Sequence, residues 1–423
     1  MKQEKKAGSA YYWIIVGAVF VLMAMTVGFP VNCFSVFAPA WVAYFQCPTA
    51  TIQLVNMIAT LGNAVSCLFL ARVLKKLGFR KAIAIYSVIA LLGLFGRSTA
   101  NSIPTLICWN VVQAIGLSGC STIPCSMLIN NWFVKDRGTA TGIAFTGSVV
   151  GGLILVQLSK IWIASVGWQR ANLYLCIIAA VCMLPITFWL AVEKPSDKGM
   201  FPKGVTEESL KLGGAARPVA TGITKKAFTK TAVFWLLAFV FFCIGFCNLG
   251  MQNNMTLALI YQHGFTAEQA ANIFSINMFI QIFGKILLGK IYDKAGIKVA
   301  SIYTLILYVL CTVTMILCTG NITIGLVFGG LFGLMSSATT VAPPYILGSA
   351  VGTREYSAIY GVLNLIFVAG CAIGPIVASS VYDKTGTFNV IFIVFTVFAV
   401  LSGICTIIAA KKAHDNGFAK MTD

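Results

Sequence analysis

Apolar residues run along this chain in blocks of about twenty or more, parted by short polar clusters. In the first half the blocks fall at about 12–37, 51–74, 82–100, 102–129, 138–162 and 170–192. In the second half they fall at about 231–258, 267–290, 299–319, 322–347, 356–381 and 388–410. A helix needs roughly 20 mainly apolar residues to cross the hydrocarbon core of a bilayer. The pattern therefore predicts an all-α membrane protein with twelve transmembrane helices, numbered here as spans 1–12. The first block is too long, and lacks the small-residue cleavage site, to be a removed signal peptide.

The segment 193–230 is the only long polar stretch, with eight basic and four acidic residues among Gly and Pro. It reads as a cytoplasmic linker between an N-terminal six-span bundle, 1–192, and a C-terminal one, 231–423. The halves also resemble each other. "LARVLKKLGFRKA" aligns with "LLGKIYDKAGIKVA" so that Gly78 falls on Gly296, 218 positions on. Gly167 and Gly386, after spans 5 and 11, correspond at 219, and "YYW" opens span 1 as "VFW" opens span 7. Two pseudo-symmetric six-helix bundles are the layout of a transporter whose site lies near the midplane, at the interface of the repeats.

Composition agrees. Of 423 residues, 58% are hydrophobic and 10% charged, far below the roughly quarter expected of a soluble domain. The net charge of +18 would suit nucleic acid, but its distribution does not. With both termini in the cytoplasm, 25 Lys and Arg lie on the inner side and four (Arg97, Lys160, Arg170, Lys384) at or near the outer side. That is the positive-inside bias, and the implied contacts are a lipid bilayer and its anionic headgroups, with no nucleic acid. The fourteen cysteines are scattered, without companion His or carboxylate, and read as packing residues; neither metal nor cofactor is implied.

The remaining basic residue, Lys285, falls inside span 8. It lies eight residues before Asp293, about 12 Å along a helix. If Asp293 marks the inner interface, Lys285 sits near the middle of a ~30 Å core, too deep to snorkel easily as Arg97 and Lys160 are expected to do. A charge at that depth is a functional candidate. All twelve Asp and Glu residues fall in termini, loops or span ends. A cation in such surroundings attracts a small organic anion, and a bound carboxylate would hold it charged. Polar residues on other spans are candidate partners for the same substrate: Asn32 on span 1, Thr122 on span 4, Ser336 and Thr339 in "MSSATT" on span 10, and Asn364 on span 11. Each equally suits a helix–helix polar contact.

The pattern G-x-x-x-D-K-x-G-x-K, here Gly289, Asp293, Lys294, Gly296 and Lys298, resembles the loop signature of the major facilitator superfamily. "NNWFVKDRGTATG" is similar to the branch that holds oxalate:formate antiporters and monocarboxylate transporters. The resemblance covers essentially the whole chain and implies the major facilitator fold, a monomer, and alternating access. In that branch a basic residue at the position of Lys285 is the usual carboxylate partner. Dicarboxylate carriers add a basic residue on span 11, whereas "YGVLNLIFVAG" has none, so the resemblance points to a monocarboxylate. The acidic-Gly-aromatic opening of animal carriers is missing too, which leans the chain toward microbial members.

With no carboxylate in the spans, and His263 and His414 in a loop and the tail, exchange or substrate-limited uniport is expected before proton symport through Lys285. For gating, Asp293 is expected beside the start of span 5, at Arg137, where the helix dipole is positive. At the symmetric position the first half has Lys75 where the signature expects an acid, and Glu355 opens span 11. The two are expected to form a swapped pair. Other classes stay open: an exporter of larger amphipathic compounds, which would need a wide aromatic cavity, and a non-transporting ligand sensor on the same fold. A membrane enzyme finds no constellation of His, carboxylate or Cys in the spans.

Overall fold

The computed structural model describes residues 7–47, 49–190, 192–203 and 222–418, and contacts divide the chain into two units, Met1–Val219 and Ala220–Asp423. The first unit holds span 1 (Tyr11–Pro30), span 2 (Leu54–Leu77), span 3 (Phe79–Ser98), span 4 (Ile103–Trp132), span 5 (Arg137–Val166) and span 6 (Trp168–Phe188). The second holds span 7 (Ala232–Gln262), the long helix Asn272–Ile316, span 10 (Ile322–Val351), span 11 (Tyr356–Tyr382) and span 12 (Asn389–Asp415). Among the described residues these are eleven helices, but Asn272–Ile316 runs 45 residues, twice what one crossing requires. It breaks at Gly296 (φ 75°, ψ −178°), which divides it into spans 8 and 9. The expected twelve spans are all present.

The internal repeat is visible in the backbone. Gly78, between spans 2 and 3, has φ 78°, and its counterpart Gly296 has φ 75°. Gly167 and Gly386 pair likewise at 82° and 69°. A residue with a Cβ is disfavoured at these angles, so glycine at equivalent turns follows from sterics.

Close helix approach repeats as well. A Cβ on Gly147 would lie 2.0 Å from Phe20 O, and one on Gly151 2.6 Å from Ala24 Cα, so span 5 packs backbone to backbone on span 1. In the second unit a Cβ on Gly370 would meet Phe242 O at 2.3 Å and one on Gly374 would meet Phe246 O at 2.2 Å, which brings span 11 onto span 7. Small residues substitute for the hydrophobic drive that lipid cannot provide between helices. Ile161, Val181, Trp235 and Ile376 are exposed large apolar residues, as suits a hydrocarbon solvent.

Local signals fix the ends and breaks. Thr231 caps span 7 by accepting from Phe234 N at 3.3 Å. Thr266 and Gln269 form a reciprocal capping box, at 3.2 and 3.0 Å, ahead of span 8. Span 1 changes from α-helix to a π-helical segment over Ala24–Asn32, which contains Pro30. Proline has no N–H to donate, and a π turn absorbs the missing bond. A further helix, Phe34–Phe45, continues from it and folds its aromatic residues over the first unit.

Candidate functional site

In the second unit, span 8 presents one polar stripe. Lys285 is 2% exposed, although Phe283 and Leu287, two residues to either side, are 54% and 43% exposed. The alternation places the lysine on the inward face, away from lipid. Asn277 and Gln281 precede it at intervals of four, the spacing that shares a helix face. Asn277 is 2% exposed and directs its amide nitrogen to Met255 Sδ at 3.8 Å. Gln281 Nε2 donates to Ser336 Oγ at 2.9 Å, and Ser336 Oγ donates to Gly333 O at 3.2 Å.

Ser336 is thus brought against Gln281, one turn before Lys285 on span 8. Thr339 lies beyond the break in span 10 that follows Ser336. Its hydroxyl, and that of Thr340, are enclosed without a hydrogen-bond partner among the described residues. Asn364 is half-buried on span 11. Gln281 and Asn277 were missed by the sequence reading, although the four-residue spacing from Lys285 was a usable signal.

The candidates of the first unit are placed differently. Asn32 Nδ2 donates to Ser148 O on span 5 at 3.3 Å, and its amide lies over Gly152. Here the helix–helix alternative describes what the side chain does. Thr122 is half-buried and opens the second helix of span 4.

One expectation is overturned. Arg97 does not reach out to headgroups: it is 4% exposed. Its Nε donates to Asn172 Oδ1 at 2.8 Å, Nη2 donates to the same oxygen, and Nη1 donates to Gln113 Oε1 at 3.3 Å. The guanidinium lies over Phe29, Phe37 and Trp41, at 5.6, 5.4 and 5.4 Å from the ring centroids. The physical reason is the segment Phe29–Trp41, which folds across the end of span 3 and removes its water. Among the described residues Lys285 is therefore one of two cations buried in the spans, one in each unit.

The gating candidates lie near helix ends and at the break in the long helix of the second unit. Lys75 is exposed in the last turn of span 2. Arg137 is the first residue of span 5 and is half-buried. Gly289 is buried on span 8, Asp293 half-buried, Lys294 exposed, and Gly296 makes the break. Glu355 precedes span 11, and its Oε2 accepts from Lys225 N at 2.6 Å. A missed element here is the stacked pair Tyr292 and Tyr345, 4.4 Å between centroids. The Tyr345 hydroxyl donates to Tyr292 O at 3.0 Å, which ties span 8 to span 10.

Among the described residues cavities also lie elsewhere. A small one of about 50 Å³ in the second unit is lined by Asn248, Thr304, Tyr308, Ser402 and Thr406 but not by Lys285. One of about 440 Å³ in the first unit is lined by Arg80, Lys81, Glu193, Asp197 and Lys198. There burial raises the Glu193 carboxyl above its ordinary value, against the opposing pull of Lys194. Among the described residues no three His, Cys, Asp or Glu come together as a metal would need.

Comparison with known proteins fits this geometry. The chain is 23% identical to monocarboxylate transporter 12 of Xenopus laevis, over 98% of this chain and 94% of that protein. It is 22% identical to human monocarboxylate transporter 1, over 93% and 83%. In three dimensions it resembles the proton:xylose symporter XylE, with a TM-score of 0.74 at 14% identity over 94% and 95% of the two chains. It also resembles the human organic anion transporter MFSD10, with a TM-score of 0.68 at 13% identity over 96% and 100%. The sequence profile described as "Major Facilitator Superfamily" matches residues 20–329, well over half of the chain. With its relatives all membrane carriers, the chain is a transporter and not an enzyme, and it belongs to the Major Facilitator Superfamily.

Proposed function

We propose that this transporter carries a small organic anion, most simply a monocarboxylate, by alternating access, as exchange or substrate-limited uniport. The observation that carries the reading is Lys285: 2% exposed on span 8, on the face that also bears Gln281 and its partner Ser336. An ammonium in that position supplies the counter-charge for one carboxylate, and neighbouring amide and hydroxyl groups supply the hydrogen bonds that orient it. The enclosed hydroxyls of Thr339 and Thr340 and the amide of Asn364 add donors on spans 10 and 11. The names of the relatives, monocarboxylate transporters 12 and 1, support the same substrate class. Counterflow in proteoliposomes with labelled mono- and dicarboxylates tests it. Wild type is expected to move a monocarboxylate and Lys285→Ala to lose that movement; equal transport by the variant would remove Lys285 from the site.

In this reading the protein works as a monomer in the cell membrane, with both termini cytoplasmic, an orientation supported by the excess of Lys and Arg at the linker end. The charges of Asp293 and Arg137 form one latch of the proposed cytoplasmic gate, and those of Lys75 and Glu355 the second. Lys75→Glu should slow transport and the added change Glu355→Lys should restore it. Failure of that rescue removes the second latch.

A further inference from the structure

The two ends of the linker make corresponding contacts, one within each unit. In the first, Lys203 pairs in parallel with Phe133. Lys203 N donates to Trp132 O at 2.8 Å, while Val134 N and Lys135 N both donate to Lys203 O, at 3.0 and 2.9 Å. In the second, Gly222 pairs antiparallel with Gly352, and Ile223 N donates to Val351 O at 3.3 Å. Phe133 and Gly352 stand 219 positions apart, the offset of the internal repeat.

The acids that follow these turns repeat the correspondence. Asp136 and Glu355, also 219 apart, occupy the cap positions of spans 5 and 11. An acid there ordinarily accepts from an N–H group of the first turn. Neither does. The Asp136 carboxylate takes Lys203 Nζ at 3.0 Å, and Glu355 Oε2 takes the backbone N–H of Lys225 at 2.6 Å. Asp136 also has φ 60°, a left-handed conformation that a non-glycine residue keeps when its surroundings hold it. Lys203 supplies that hold, with its ammonium 5.0 Å from the Trp13 ring centroid and 5.7 Å from that of Phe133.

The linker occurs once in the chain, so its two contacts are not copies of one duplicated segment. Their opposite strand sense says the same. Two different pieces of linker have come to engage symmetry-related turns, and each takes the acid away from its capping role. We propose that the linker ends around Lys203 and around 222–225 are docking strands that set the first turns of spans 5 and 11. Lys203 and Glu355 are the positioning residues. The inference makes no use of the substrate and stands or falls separately from the anion reading.

Hydrogen–deuterium exchange of the full chain in lipid nanodiscs, read by mass spectrometry, tests it. Ala140 N donates to Asp136 O at 2.9 Å and Ile359 N to Glu355 O at 3.1 Å, so these amides report the first turns. Lys203→Ala should raise exchange at Val134, Lys135 and Ala140 by up to about five-fold, the scale of a partly exposed ion pair. Lys203→Arg should keep the protection. Glu355→Ala should raise exchange at Lys225 and Ile359. Lys198→Ala, which removes a contact with the Tyr11 ring at 5.7 Å and leaves the Lys203–Asp136 pair in place, should change none of these. The proposal is overturned if the rise stops at Val134 and Lys135 with Ala140 unchanged. It is equally overturned if Lys198→Ala has the same effect or if Glu355→Ala leaves Ile359 protected.

Discussion

Substituting Arg97 separates a buried, caged guanidinium from a snorkelling one. In the structure the side chain makes three hydrogen bonds to the neutral amides of Asn172 and Gln113 and faces three aromatic rings. Arg97→Met deletes the charge and leaves two buried acceptors, Asn172 Oδ1 and Gln113 Oε1, without that donor. Each orphaned acceptor costs about 1–3 kcal/mol, and escape from the desolvation of the charge offsets part of the sum. A net loss of about 1–4 kcal/mol follows. Arg97→Lys keeps the charge but not the fork, so one ammonium cannot reach all the positions that the guanidinium serves. A buried charge left partly unpaired costs about 3–5 kcal/mol. The conservative replacement should therefore be at least as damaging as the radical one. For a unit of this size each kcal/mol moves the midpoint by roughly 2–4 °C, so Arg97→Lys should unfold about 6–20 °C below wild type. The assay is thermal unfolding in detergent followed by a thiol-reactive dye, for which buried Cys33, Cys67, Cys120, Cys125 and Cys176 in the same unit are built-in reporters. If Arg97→Lys melts with wild type while Arg97→Met does not, the charge reaches water and the cage carries no energy.

Two further predictions rest on packing and on charge. Gly151→Leu should abolish counterflow and lower the unfolding midpoint, because its first carbon would lie 2.6 Å from Ala24 Cα, a backbone atom that cannot yield locally. Gly330→Ala, which has nothing within 4 Å, should leave both unchanged, and equal tolerance of the two substitutions would refute the close span 1–span 5 contact. Glu193→Gln should raise the unfolding midpoint at pH 7, because burial lifts the folded carboxyl's pKa and makes its ionised form the costly one. The sign then requires the gain to fade as pH falls through the raised pKa and to be gone below 4.5, where both states become protonated. A gain that persists at pH 4 would assign the effect to shape and not to charge.

These predictions divide according to what a sequence can display. The spans were legible because hydrocarbon forbids unpaired backbone groups and leaves long apolar helices as the solution for an α-helical chain. The Gly78–Gly296 and Gly167–Gly386 correspondences were legible because their positive φ angles select glycine. Lys285 was legible because its neighbours are apolar and its distance from Asp293 can be counted along one helix. Gln281 and Asn277 were within reach of the same count. Arg97 was not, since nothing in span 3 distinguishes it from a lysine or arginine that turns outward near a span end. What buries it comes from Phe29, Phe37 and Trp41, and from Asn172 75 positions away, joined only after the helix Phe34–Phe45 has folded over. The contacts made by the linker were hidden for a related reason: its composition is that of a flexible segment, and single-residue bridges at Lys203 and Gly222 leave no periodicity to detect. In both cases the hidden feature is a polar pairing between distant elements. Such pairings gain most where water is scarce, so in a membrane protein the least legible residues include those whose removal should cost most.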